Sequence, residues 1–243
     1  MILSINKNLL SRSELTPDPV PGAIAIYEFK CLDDANNTPT RIDGISKRDL
    51  FALDFNGVDQ YLDKASDASL LHDEQDAFSV TWWFKPVLNS TTGTIRQFIA
   101  YGQSGTGLDG FALSMPSDSA RVRFISEGGG FNTNTDVVWD NWNFCAFTYD
   151  GTTARTYLNE DAVTESVRAV NTFSAEILNI GCNTTAGSSF WWGDLDGIRI
   201  YDRVLTATEI GLIRDYIDQR LRVNGELLTL EGEYVEFEQR AWV

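Results

Sequence analysis

The sequence predicts an all-β sandwich, and three observations carry that prediction. Short apolar runs of strand character recur along the chain from Ala23 onward. Between them stand Asn-Gly, Asp-Gly, Gly-Thr-Gly, Gly-Gly-Gly and Asn-Thr-Asn-Thr, residues that turn the chain rather than continue a ladder. A length of 243 residues suits one large sandwich whose core is big enough to hold without staples.

In chain order, residues 1–22 come first and end in TPDPVPG, three prolines within five positions followed by glycine. Proline donates nothing to a ladder and biases its predecessor to extended backbone, so this segment reads as an arm. The strands follow as AIAIYEF, LFALDF, FSVTWWF, IRQFIAY, FALSM, RVRFIS, WNFCAFTY, ARTYLN, AEILNIG and DGIRIY. The segment 142–159 reads as two strands folded on a tight Asp150-Gly151 turn, with aromatics on both faces of the first strand.

One helix interrupts the pattern. In TATEIGLIRDYIDQRL, Thr206 and Glu209 have capping-box spacing, and Ile210, Ile213, Ile217 and Leu221 form one apolar stripe. The sandwich is thus expected over 23–221, with 222–243 a tail or added hairpin that turns at Asn224-Gly225.

Side-chain alternation assigns faces. Phe78, Val80, Trp82 and Phe84 share the core face of their strand, and Ser79, Thr81, Trp83 and Lys85 share the other. In the closing strand Ile198 and Ile200 point inward while Arg199 and Tyr201 point out.

Composition narrows the partners. A formal charge of −16 repels phosphate backbones and anionic lipid, which excludes unaided nucleic-acid binding and favours cations, neutral glycans or a basic protein. No apolar run reaches membrane-spanning length, so no membrane insertion is expected. Cys31, Cys145 and Cys182 are odd in number and lack CxxC spacing, so neither a disulfide framework nor a zinc ribbon is expected. The start, MILSINKNLL, is too short and broken for a signal peptide, which leads to the expectation of a chain not exported by the usual route.

Four pieces in order, LDFNGVDQYL, FSVTWWFKP, WNFCAFTYDGTTARTYLN and GDLDGIRIYDRVLTATEI, resemble the laminin G-like, concanavalin A-like family over about residues 23–218. The resemblance implies a jelly roll of two antiparallel sheets with the hairpin 142–159 near its centre. Asn159-Glu160-Asp161 stands where that pattern has Asn-Gly, and Gly197 where it has a carboxylate. Such proteins include glycan binders, adhesion modules, surface components of bacteriophage particles and glycanases, so the fold alone leaves function open.

Sugars stack their C–H faces on exposed rings, and the rings best suited are Trp83, Trp191 or Trp192 in SSFWWGD, and Phe131 in GGGFNTNTD. Alternation sends one of two neighbouring tryptophans inward. The resemblance also implies calcium at the sandwich rim. Asp33, Asp34 and Asp43 in an early loop, with Asp194 and Asp196 in the closing segment, are its candidate oxygen ligands, with Asp43, Asp194 and Asp196 foremost; turn-capping by the same side chains is the alternative.

For catalysis the nearest pattern is EGEYVE, but alternation sets Glu233 and Glu236 on opposite faces and the segment lies outside the matched region. A single His72 and no Gly-x-Ser-x-Gly argue against a triad, so a non-enzyme is expected. The expected role is a surface or adhesion subunit of a bacteriophage virion, present in the cytoplasm before release. Residues 1–22 would dock to other virion subunits in an oligomer, and the end loops would face a host-surface glycan. A free lectin domain and a glycanase are the alternatives.

Overall fold

The computed structural model describes residues 20–27, 52–64, 76–87, 95–102, 110–116, 119–126, 129–167, 178–183, 189–220, 222–223 and 226–227. The strands are β1 (Ala23–Tyr27), β2 (Leu53–Asn56), β3 (Leu62–Lys64), β4 (Phe78–Pro86), β5 (Arg96–Gly102), β6 (Gly110–Met115) and β7 (Arg123–Ser126). They continue as β8 (Gly129–Asn132), β9 (Asn143–Tyr149), β10 (Thr153–Leu158), β11 (Thr164–Val167), β12 (Leu178–Ile180) and β13 (Trp192–Tyr201). The helix α1 (Ala207–Arg220) and the short pair β14 (Arg222–Val223) and β15 (Glu226–Leu227) come last.

Two antiparallel sheets make the jelly-roll sandwich. The seven-stranded sheet runs β1-β13-β4-β9-β10-β11, with β2 also on β13, and the six-stranded sheet runs β3-β12-β5-β6-β7-β8. Both lie in the unit Gly22–Ile210, whereas β14 and β15 pair with each other in a second unit. Strand β13 is long enough to pair with two partners along one edge, β2 at 192–195 and β1 further on. A bulge between Asp196 and Arg199 shifts its register against β4. The central hairpin is β9 and β10, as the sequence predicts. Asp150 Oδ1 accepts from the Thr152 and Thr153 amides at 3.1 and 2.8 Å, and Asp150 Oδ2 accepts from Arg155 at 2.7 Å.

Alternation builds the core. Phe78, Val80, Trp82 and Phe84 of β4 meet Phe147, Tyr149 and Cys145 of β9, and Leu195, Ile198 and Ile200 of β13 close one side. The opposite sheet contributes Phe98, Phe111, Leu113 and Phe124, with Phe124 stacked on Phe147 at 4.3 Å between ring centres. Burial of this kind is worth about 1.5–3 kcal/mol per large side chain.

The outward face of the seven-stranded sheet departs from expectation. Alternation places Trp83, Phe144, Thr81 and Thr148 there, and all four are buried. The hairpin therefore offers no exposed aromatic from β9: Phe144 packs against Trp83 at 5.4 Å between centroids. Residues 203–205 form part of the cover, because Ser79 Oγ donates to the Arg203 carbonyl at 2.7 Å and accepts from the Leu205 amide at 2.9 Å.

Helix α1 begins with the predicted capping box. Glu209 Oε2 accepts from the Thr206 amide at 2.8 Å, and the Glu209 amide donates to Thr206 Oγ1 at 3.2 Å. Ile210 and Ile213 of the predicted stripe are buried, while Ile217 and Leu221 lie outside the described side chains. Among the described residues no helix is long and apolar enough to cross a membrane.

Candidate functional site

The sandwich end at which β2 leaves and β13 enters carries a rim whose one exposed aromatic, among the described residues, is Trp192. Its foundation is the turn after β2. Asn56 Oδ1 accepts from the amides of Val58 and Asp59 at 2.9 and 3.2 Å, while Asn56 Nδ2 donates to Asp59 Oδ1 at 2.8 Å. The Asn56 amide in turn donates to Gln60 Oε1 at 2.8 Å. Four bonds within five residues fix this loop, the way an Asx turn substitutes side-chain for ladder bonds.

Trp192 sits on that loop. Register pairs it with Asn56 across β2 and β13, on the outward face, and it is 38% exposed. Gly57, at φ +73°, makes the seat: a Cβ built there would lie 2.7 Å from the Trp192 Cβ and 3.0 Å from the nearest ring atom, Cγ. Only glycine accepts both the left-handed backbone and that approach. Part of the Trp192 side chain is thus backed by the Gly57 loop while part of it meets solvent. Tyr61 and Phe190, both half-buried, lie near each other with ring centroids 6.3 Å apart, and Val58 at the loop tip is 69% exposed.

Its neighbour Trp191 has the opposite fate. It is wholly buried, 4.3 Å from Phe98 and 6.0 Å from Phe84 between ring centroids, with its amide donating to the Gly181 carbonyl at 2.7 Å. At Gly193 a Cβ would run into the Lys85 carbonyl, so this residue lets β13 close on β4 directly beneath the rim.

The other sequence-predicted rings lie elsewhere. Trp83 faces outward as expected but is only 7% exposed beneath the cover. Phe131, on the edge strand β8, is half-buried and packs on Phe124 at 5.8 Å. Among the described residues the four predicted rings do not touch one another, so Trp192 alone of the set joins a solvent-facing rim. Sequence reasoning missed Tyr61, Phe190 and Val58; the signal within LDFNGVDQYL was the Asn-Gly turn followed by an aromatic.

The predicted calcium ligands divide similarly. Asp194 and Asp196 share the outward face of β13, buried at 1% and 3% exposure, on the same face as the buried guanidinium of Arg199. Asp43, like Asp33 and Asp34, lies outside the described residues. Among those described, no three His, Cys, Asp or Glu side chains gather in a group that could hold a metal ion. Glu231, Glu233, Glu236 and His72 also lie outside the described residues.

With this geometry in place, the lineage is clear. The chain belongs to the concanavalin A-like lectin/glucanases superfamily, whose third laminin G-type model matches residues 56–211. No curated protein sequence matches it. Among solved structures it is similar to the binding domain of botulinum neurotoxin serotype G, with TM-score 0.58 and 15% identity over 80% of this chain and 51% of that one. It is also similar to the serotype D ligand binding domain in complex with N-acetylneuraminic acid, with TM-score 0.59 and 11% identity over 80% and 51% of the two chains. A Trypanosoma rangeli sialidase in complex with sialic acid matches at TM-score 0.53 and 13% identity over 74% of this chain and 30% of the enzyme. The chain spans about half the length of the neurotoxin domains, and identities this low establish a shared fold.

Proposed function

We propose that this protein is a non-enzymatic glycan-binding adhesion module whose sugar site is the rim around Trp192. The carrying observation is the indole of Trp192, seated against Gly57 and partly exposed at a sandwich end. A sugar presents a C–H face of matching size, and the Asn56–Gln60 loop supplies polar groups for hydroxyls. Family membership and the sugar-bound complexes among the structural neighbours support the same reading. A glycan array probed with the full chain tests it. Trp192→Ala is expected to weaken binding by about thirtyfold, the usual cost of truncating a central aromatic anchor, with global stability changed by no more than about 1 kcal/mol. Binding that survives this change unaltered overturns the assignment.

The wider role proposed is a surface subunit, a bacteriophage particle being its most concrete form. It rests on the proline-rich segment 1–22, most of which lies outside the described residues. Deleting it is expected to leave folding and sugar binding intact while abolishing incorporation into the particle.

A further inference from the structure

The glycan reading of the rim leaves the class of sugar open, and the following inference rests on that reading. We propose that this sandwich end takes an acidic glycan whose carboxylate or sulfate is received by Arg96. Arg96 opens β5 and stands opposite Met115 of β6, a core residue, so its side chain lies on the inner face of the six-stranded sheet in its last row. It is only 8% exposed, yet it makes no hydrogen bond or ion pair among the described residues. Burial, with no partner to offset it, holds its pKa below the ordinary guanidinium value. The stem is what is buried: none of the guanidinium nitrogens is among the sealed side-chain atoms that lack a partner.

This inverts the usual arrangement of arginine. Arg121, Arg155 and Arg203 are all more exposed, and each holds a carboxylate, at 3.0, 2.7 and 2.7 Å. A cation taken out of water normally has its partner beside it, because lost hydration is otherwise uncompensated. A stem that only closed the end of the core could finish in a methyl group, as Met115 does beside it. A permanent, planar, bidentate cation is the group that an incoming oxyanion needs. The backbone ties this fork to the rim. The Gln97 amide donates to the Ser189 carbonyl at 2.9 Å, and Ser189, held at φ +61°, stands three residues before Trp192. Three residues span at most about 10 Å, so fork and indole belong to one end, within reach of a short oligosaccharide. The net charge of −16 opposes an anion at long range. At a screening length of roughly 8 Å in physiological salt, a contact pair outweighs that distant field.

The test measures the full chain in physiological salt against oligosaccharides that differ only at the terminal unit: glucose, glucuronic acid or 6-O-sulfated glucose. One acidic form is expected to bind roughly tenfold tighter than the neutral form, and which one does so names the anion. Arg96→Met, which keeps the stem, is expected to bring acidic and neutral forms within about twofold. Arg96→Lys, which keeps a charge without the fork, should retain about a threefold preference. Without sugar, Arg96→Met should melt no lower than the parent, because it removes a charge that has no partner in the chain. A lower melting temperature would mean that the guanidinium is already paired, and overturns the inference. Neutral and acidic forms bound equally by the parent, or a preference that Arg96→Met leaves in place, also overturn it while the glycan site stands. Failure of all three forms to bind overturns the sugar reading itself and this inference with it.

Discussion

Trp191 and Trp192 are adjacent in sequence and opposite in role. The pleat turns Trp191 onto Phe98 and Phe84 and turns Trp192 onto the Gly57 loop. Trp83 shows that facing outward is not enough: it shares the outward face with Trp192, yet lies beneath a cover beside Phe144. The difference between Trp83 and Trp192 is position along the sheet. The middle of the outward face is overlaid, whereas the place where β13 begins is left open. In this sandwich, strand parity decides which way a ring points, and the end of the ladder decides whether it meets solvent.

The largest expected effect comes from treating the two tryptophans alike. Trp191→Ala removes a fully buried indole from between Phe84 and Phe98, leaving a cavity that close-packed neighbours cannot fill, and should destabilise by about 3–5 kcal/mol in urea unfolding. Glycan affinity of the molecules that remain folded should stay close to that of the parent, in contrast to Trp192→Ala. If both variants cost the same stability, the division between a structural and a presenting tryptophan is wrong.

An intermediate effect tests the seat rather than the ring. Gly57→Ala places a Cβ against the Trp192 side chain at a backbone conformation, φ +73°, that alanine adopts poorly. The expected cost is about 1–3 kcal/mol, with weaker sugar binding although no residue meeting the sugar has changed. Tighter or unchanged binding would mean that the indole does not need its loop.

The core was legible because it rests on periodicity. FSVTWWF and DGIRIY alternate, and the structure buries Val80, Trp82, Ile198 and Ile200 as alternation requires. Capping-box spacing likewise announced the start of α1, because those bonds join residues three apart. The rim was only half legible. Parity pointed to one tryptophan of the SSFWWGD pair without choosing it, since the choice depends on where β13 starts relative to β2. Tyr61 and Phe190 meet through tertiary structure alone, 129 positions apart in the numbering, and no local pattern marks that pair. Burial of Trp83 was illegible for the same reason: a strand's own sequence does not record what lies over its outer face.

The smallest effect should separate stability from the rim altogether. Glu209 accepts from Arg203 at 2.7 and 3.1 Å and from Thr206, and these bonds, that of Arg203 foremost, hold its carboxyl down at about 2 against an ordinary 4.5. Because the folded value is the lower one, the contribution is present in full above about pH 4.5 and is lost as pH falls through about 2. Both partners remain partly exposed, which keeps the contribution to about 1 kcal/mol or less. Glu209→Gln should therefore lower the melting temperature by a few degrees at pH 6, and parent and variant should converge as pH approaches 2. Sugar affinity at pH 6 should be identical in the two proteins, because neither Glu209 nor Arg203 belongs to the Trp192 rim. A loss of affinity in this variant would tie the helix cap to the rim and break the separation on which the comparison of the two tryptophans stands.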